Sequence, residues 1–246
     1  MNSSKKICVI IPVHNGEKWL PNAIRSLNEL LPLLSMDYEI IIAEDGSTDG
    51  SYKLAKSLES SRVHILHSDK RLGKGKAIAR AVASTAADIV LFMDVDMASD
   101  PSQAGLLMAA IENGADIAIG SRLLPGSRLH IRSMLRSMMS KAYNALIRLL
   151  FRTGVSDHQC GFKAFRSSTV SKLLSSVSDG GWFWDTELIV RAKKVGLEVK
   201  EVPIKWTESE ESVFSLVFDV PVMALSALRL WFKVRGMGSN DNGPGL

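Results

Sequence analysis

Five short apolar runs punctuate the first half of this chain, each followed by a stretch of helix formers, and that alternation restricts the fold more than any other feature. The runs fall at 7–12, 39–43, 63–67, 89–93 and 117–120 and read as strands. Between the first two, Trp19, Leu20, Ala23, Ile24, Leu27, Leu31 and Leu34 recur at helical spacing. Ser47 or Thr48 can cap a helix through Ser60, residues 75–87 are rich in helix formers, and Pro101 suits the first turn of a helix to Asn113. Repeated β-α-β units predict an α/β fold: a doubly wound, mostly parallel sheet with helices on both faces. At 246 residues and 46% hydrophobic content the chain can bury a sizeable core. A single domain over 1–235 is expected.

The second half is patterned differently. Residues 129–152 mix Arg132, Arg136, Lys141, Arg148 and Arg152 with leucines, methionines and Tyr143, as a basic-apolar helix would. Residues 198–205 read as a further strand. A second basic-apolar helix spans 213–234 and ends in Leu230-Trp231-Phe232-Lys233. Both helices can pack on the sheet and show arginines to water, or lie in a membrane interface with long basic side chains snorkelling. The tail 236–246 is too poor in apolar residues to pack and is expected to be disordered. No run of 18 apolar residues is free of charge, so no membrane span is expected. A net charge of +4 and a pI near 9.1 suit an anionic lipid surface or phosphorylated substrates, and no nucleic-acid partner is expected. Cys8 and Cys160 lie too far apart in sequence for a zinc cluster or a disulfide framework, which favours a reducing compartment.

Chemistry concentrates at the strand ends. Asp94-Val95-Asp96 follows the apolar run 89–93, so both carboxylates fall in the crevice beyond a strand's carboxyl end, where open α/β sheets bind ligands. Carboxylate oxygens suit a hard divalent cation shared with substrate phosphates. Asp45, in Glu44-Asp45-Gly46-Ser47-Thr48-Asp49-Gly50, can accept a hydrogen bond from a nucleobase N–H at that edge, although Asp, Gly and Ser also simply form turns. In Arg71-Leu72-Gly73-Lys74-Gly75-Lys76, glycines admit close backbone approach and Lys74, beside a helix N-terminus, can hold an anion. The segment half-matches a dinucleotide fingerprint, but Ile78 stands at the third glycine and the segment follows the third strand.

Taken in order, Pro12-Val13-His14-Asn15, Asp45-Gly46-Ser47-Thr48-Asp49, Gly73-Lys74-Gly75, Asp94-Val95-Asp96 and Gly120-Ser121-Arg122 resemble the family-2 inverting glycosyltransferases of GT-A fold. Asp157-His158-Gln159-Cys160-Gly161-Phe162-Lys163, Trp184-Asp185-Thr186-Glu187-Leu188 and Trp206-Thr207-Glu208 are similar to the branch that uses dolichyl or other polyprenyl phosphates, the glucosyltransferases first and the mannosyltransferases next. The resemblance spans roughly 6–235.

It implies that Pro12, Asn15, Glu17, Asp45 and Lys74 belong to the nucleotide-sugar pocket, that Asp94 contacts the donor, and that Asp96, with Asp94, ligates Mg²⁺ or Mn²⁺. Arg122, Arg136 and Ser140 match positions that hold the acceptor phosphate, and Gln159 would lie near the sugar. The implied partners are a nucleotide sugar (UDP-glucose or GDP-mannose), dolichyl or polyprenyl phosphate, and the cytoplasmic face of a membrane, bound peripherally. His14 departs from the usual Tyr and Gly16 from the usual Glu. Ala98 stands where mannosyltransferase-like members often carry a metal-binding Gln, which tilts the reading toward glucose. A phosphate monoester, with a second pKa near ~6, is largely dianionic at neutral pH and attacks without a general base. Asp185 or Glu187 could serve as a base if the acceptor were instead a sugar hydroxyl in polysaccharide or glycolipid synthesis. With a phosphate acceptor their expected role is structural or sugar-orienting.

Overall fold

The computed structural model describes residues 5–34, 36–131, 133–208 and 219–236. The run Lys6–Val13 is buried nearly throughout and forms β1, an interior strand of the sheet. Such continuous apolar strands suit a parallel sheet covered on both faces. β2 (Asp37–Glu44) and β4 (Ile89–Met93) flank it in parallel, and β3 (Val63–Leu66) continues beyond β2. On the other side of β4 come β7 (Phe162–Arg166), β5 (Ile117–Ser121) and β8 (Val199–Pro203), giving the order β3-β2-β1-β4-β7-β5-β8.

β7 was not expected from the sequence, and it runs antiparallel to both β4 and β5. Its apolar run is broken by Lys163, which nevertheless is fully enclosed. A period-based reading discounts a run carrying a lysine at its centre, because lysines are almost never buried unless paired.

The helices match the alternation with shifted ends. α1 (Leu20–Leu30) buries Leu20, Ala23, Ile24 and Leu27 and continues as a 3₁₀ turn over Leu31–Leu34. α2 is shorter than expected, Ser51–Ser57, because Ser47 and Thr48 are engaged in the loop before it instead of capping it. α3 occupies Lys74–Ser84. Pro101–Gln103 forms a 3₁₀ turn capped by Asp100 before α4 (Ala104–Glu112).

Two expected elements divide. Residues 128–130 form a short strand, β6 (Arg128–His130), so the basic-apolar helix α5 starts only at Met134, after Ser133 caps it, and runs to Phe151. The expected strand at 198–205 breaks at the buried Ile204 into β8 and β9 (Lys205–Thr207), and β9 pairs with β6 in a second small sheet. Further along, α6 (Ser167–Leu174) and α7 (Trp184–Lys194) pack on the main core. α8 is described over Asp219–Gly236. Of its expected length, 213–218 lie outside the described residues, as do 237–246 of the expected tail. No described helix is long and apolar enough to cross a membrane.

Candidate active site

The parallel strands all end at one edge of the sheet, and β7, running the other way, begins there. Met93 closing β4 pairs with Phe162 opening β7, so the 157–161 loop meets the Asp94 loop. Asp94 N donates to Gly161 O at 3.1 Å. A Cβ on Gly161 would stand 1.9 Å from Asp94 Oδ2, so this approach requires glycine.

A cleft of about 830 Å³ opens at this edge. Pro12, Asp45, Lys74, Asp94 and Asp96 line it from the ends of β1, β2 and β4 and from the start of α3. Arg122, Arg136, Ser140 and Gln159 line it from the end of β5, from α5 and from the loop before β7.

Asn15 and Glu17 are not on the cleft lining. Asn15, at φ 53°, accepts from Thr48 N (2.8 Å), and Glu17 Oε2 accepts from Gly50 N (2.9 Å). They staple the loop after β1 to the loop after β2, which carries Asp45. Asp45 itself is buried, with Oδ1 accepting from Leu72 N (2.6 Å) and Oδ2 from Gly73 N (2.9 Å). Its carboxylate thus ties down the glycine-containing turn ahead of Lys74.

Charge in the cleft is ordered. Lys74 Nζ lies 2.8 Å from Asp94 Oδ1 and 3.6 Å from Asp185 Oδ2. Burial pulls the Lys74 ammonium down, but Asp94 and Asp185 override it and hold the pKa above the usual lysine range. Asp185 Oδ1 receives Lys163 Nζ at 2.6 Å, so each carboxylate oxygen of this buried residue faces an ammonium group. Asp96 has its carboxyl pushed up to about 6, first by burial and then by the Asp94 charge. Two adjacent carboxylates, one of them raised by the other's charge, are a fitting donor set for a hard divalent cation. Among the described residues no cluster of three or more His, Cys, Asp or Glu side chains could hold a metal, so further ligands would come from substrate phosphate and water.

Arg122 makes a bidentate fork with Asp157: Nε to Oδ2 at 2.7 Å and Nη2 to Oδ1 at 2.8 Å, with its backbone N also donating to Oδ2 at 3.0 Å. Asp157 is fully buried. Burial raises its carboxyl, yet Arg122 wins and holds it below the usual range. The same guanidinium reaches Ser140 Oγ at 3.5 Å and lies over the Trp206 ring. Arg136 sits in the first turn of α5, with Nη1 3.6 Å from Glu208. Ser140 Oγ donates to Gln159 Oε1 at 3.4 Å. Behind this group, Asn144 accepts from both N and Nδ1 of His158 (2.9 Å each), and Thr153 lies 2.9 Å from His158 Nε2. Burial pushes His158 down to about 4, so it stays neutral and serves as a fixed post for the loop bearing Asp157 and Gln159.

Nine of the eleven residues expected at the site line the cleft, but sequence reasoning gave no role to Asp157, Lys163, Trp182 or Trp206. Trp182 and Trp206 both line the cleft, with Lys74 and Arg122 respectively over their rings. The signal for Asp157 was available: a half-buried arginine after a buried strand needs a buried carboxylate, and the nearby loop opens with one.

The cleft thus gathers an Asp-x-Asp pair and two arginines at the carboxyl-end edge of an α/β sheet. The chain belongs to glycosyl transferase family 2, whose family description matches residues 8–174. It is 37% identical over 234 residues to glycosyltransferase AglD of Haloferax volcanii, covering 93% of this chain and 37% of that protein's length. It is 32% identical to the polyprenol monophosphomannose synthase of Mycolicibacterium smegmatis, with 85% of this chain and 80% of that protein aligned. It is 31% identical to a dolichyl-phosphate beta-glucosyltransferase of Dictyostelium discoideum, with 92% and 74% covered. In fold it is similar to the glucosyl-3-phosphoglycerate synthase of Mycobacterium tuberculosis, solved with Mn²⁺, UDP-glucose and phosphoglyceric acid, at a TM-score of 0.69 and 20% identity over 98% of this chain and 83% of that one. The architecture is thus GT-A.

Proposed function

We propose that this protein transfers a hexose, with inversion, from a nucleotide sugar to a polyprenyl phosphate, within one catalytic unit over 1–235. The observation that carries this reading is the engagement of Asp185. With Lys163 on one oxygen and Lys74 facing the other, and only 3% exposed, its carboxylate has both oxygens occupied by ammonium groups and none turned to an acceptor hydroxyl. A hydroxyl acceptor needs a base; a phosphate dianion does not. The relatives named for polyprenol and dolichyl phosphate point the same way.

Lys74 and the loop after β2 would receive the donor, and Asp94 with Asp96 would hold Mg²⁺ or Mn²⁺, which when bound neutralises charge on the departing diphosphate. Arg122, held flat by Asp157, and Arg136, fixed at the start of α5, would draw the acceptor phosphate in line with the anomeric carbon. Ser140, against the Arg122 guanidinium, and Gln159, which it contacts, line the same cleft and would orient sugar and phosphate.

The lipid chain would leave across α5 and α8. Exposed Leu135, Met138, Leu146 and Leu149 fall on one stripe of α5, with Lys141 and Arg148 beside it. Val222, Leu225, Leu228 and Phe232 do the same on α8. The buried faces of these helices pack on each other through Ile147, Met223, Ala227 and Leu230. Packing and interfacial contact therefore use different faces of the same helices, and we place the protein peripherally, at the cytoplasmic face of a membrane. Donor identity stays between UDP-glucose and GDP-mannose, with Ala98 favouring glucose.

The test is transfer of radiolabelled sugar from a panel of nucleotide sugars to polyprenyl phosphate. An acid-labile lipid product supports the reading. Transfer only to a sugar hydroxyl, giving an acid-stable product, sinks it.

A further inference from the structure

Lys163 occupies a place where a lysine has no local reason to be. It lies mid-strand in β7, fully enclosed, with its ammonium 5.3 Å from the Phe92 ring centroid. It is not on the cleft lining, so it touches neither donor nor acceptor. A leucine or methionine would fill such a position without stripping an ammonium group of water. What the lysine does is donate to Cys160 O and to Asp185 Oδ1.

Asp185 then faces Lys74, and Lys74 faces Asp94. From core to cleft the charges alternate: Lys163 positive, Asp185 negative, Lys74 positive, Asp94 negative. Without Asp185 behind it, Lys74 would be drawn wholly onto the Asp94-Asp96 pair. Without Lys163, a buried Asp185 would lack its anchoring counter-charge and would compete with Asp94 for Lys74. We propose that Lys163 and Asp185 form a positioning pair that fixes the Lys74 ammonium between two carboxylates, poised for the diphosphate of the donor. This rests on the donor reading above and not on the acceptor. Locked supporting shells of this kind are what hold a charged group at productive geometry.

A merely structural ion pair and a positioning pair respond differently to neutralisation. The double variant Lys163→Met/Asp185→Asn removes both charges at nearly constant volume. Its melting temperature, its affinity for UDP and GDP by calorimetry with and without Mg²⁺, and its separate donor and acceptor KM values would be compared with wild type. We expect melting within a few degrees of wild type, at least tenfold weaker binding of whichever nucleoside diphosphate wild type binds, and an acceptor KM within twofold. Lys74→Met should weaken binding as much in wild type, yet add less than threefold on the neutral-pair background, because its partner is already gone.

Wild-type affinity in the double variant, or a full additive loss from Lys74→Met, overturns the proposal. If the double variant does not fold, Asp185→Asn alone goes through the same cycle, and failure of both to fold makes the pair structural and ends the proposal. Wild type that binds neither nucleotide removes the donor reading and the proposal together. Transfer to an acceptor other than polyprenyl phosphate, with the binding losses as expected, refutes only the acceptor assignment.

Discussion

The loops closing β1, β2 and β4 and the helices α5 and α8 bound the same cleft but are held in place differently. The loops hang on strands buried on both faces and are cross-tied by short polar contacts: Asn15 to Thr48, Glu17 to Gly50, Asp45 to Leu72 and Gly73. The helices bury one face each in a small separate cluster and leave apolar side chains outward, Met134 at 78% and Phe232 at 68% exposure. A region fixed by hydrogen bonds to a rigid sheet suits a ligand of fixed shape and charge. A region with an unsatisfied apolar face suits a long, pliable one. The difference predicts that changes on the loop side act on chemistry, and changes on the helix side act on access.

The largest effect should come from Asp96→Asn. A neutral amide cannot compensate a divalent cation, and loss of several kcal/mol of such stabilisation corresponds to a fall in kcat of about 10³-fold or more. The fold should survive. Because burial and Asp94 raise the Asp96 carboxyl to about 6, its contribution to stability is present below the unfolded-state value of about 3.9 and is lost as pH rises through 6. Metal-free Asp96→Asn should therefore melt no lower than wild type at pH 7.5. In wild type, affinity for the divalent cation should drop as pH falls through about 6, when protons compete for the site. Retention of turnover by the Asn variant would show that the Asp94-Asp96 end of the cleft does not hold a catalytic cation.

Next comes Asp157→Asn, which sits on the helix side yet behaves like the loop side. It leaves Arg122 without its buried partner and should lower stability by about 3 kcal/mol in denaturant titration. Asp157 is held below the usual carboxyl range by Arg122 against the opposing effect of burial. A depressed carboxylate contributes stability above the unfolded pKa of about 3.9 and loses it as pH falls through the folded value. Wild type should accordingly weaken below about pH 4 more steeply than the variant. Parallel acid curves for the two would show that the fork carries no such weight.

These cases also show how much could be read in advance. The β-α alternation and the Asp94-Asp96 pair were legible because strand burial writes a continuous apolar run and a strand's carboxyl end exposes the next few side chains. β7 was illegible because Lys163 interrupts its run, and the compensation, Asp185, lies on another element. The start of α5 was misplaced because Arg128–His130 pairs with β9, a partner remote in sequence. Asn15 and Glu17 were expected in the pocket and instead brace it, a distinction that depends on where the loop after β2 folds back. Sequence revealed which residues gather at the edge, but not which of them hold the others.

Arg136→Lys probes the junction of the two regions and should be intermediate. Lysine keeps the charge but not the fork, so donor KM should hold while acceptor KM rises by about tenfold, with a smaller drop in kcat. An unchanged acceptor KM would move the phosphate contact away from α5.

The smallest change in kcat should come from the outward stripes. Leu135, Met138 and Phe232 are each 60% exposed or more, so replacing all three with serine removes little packing. Such surface changes usually fall within about 0.5 kcal/mol each, so the melting temperature should move by only a few degrees. Kinetics with a short, water-soluble prenyl phosphate should be close to wild type, since nothing near Asp96 or Arg122 has changed. Flotation with anionic vesicles should fall instead. Each side chain that enters the headgroup region contributes up to about 1.5–3 kcal/mol when fully buried, so even partial insertion by three predicts at least tenfold weaker partition. Activity on long-chain polyprenyl phosphate in vesicles should drop with it, while Lys141→Ser adds a salt-sensitive component because its charge sits at the edge of the α5 stripe. If the triple variant floats like wild type, the exposed stripes are not the membrane contact. If it unfolds, they belong to packing, and the division of each helix into a core face and an outward face is wrong.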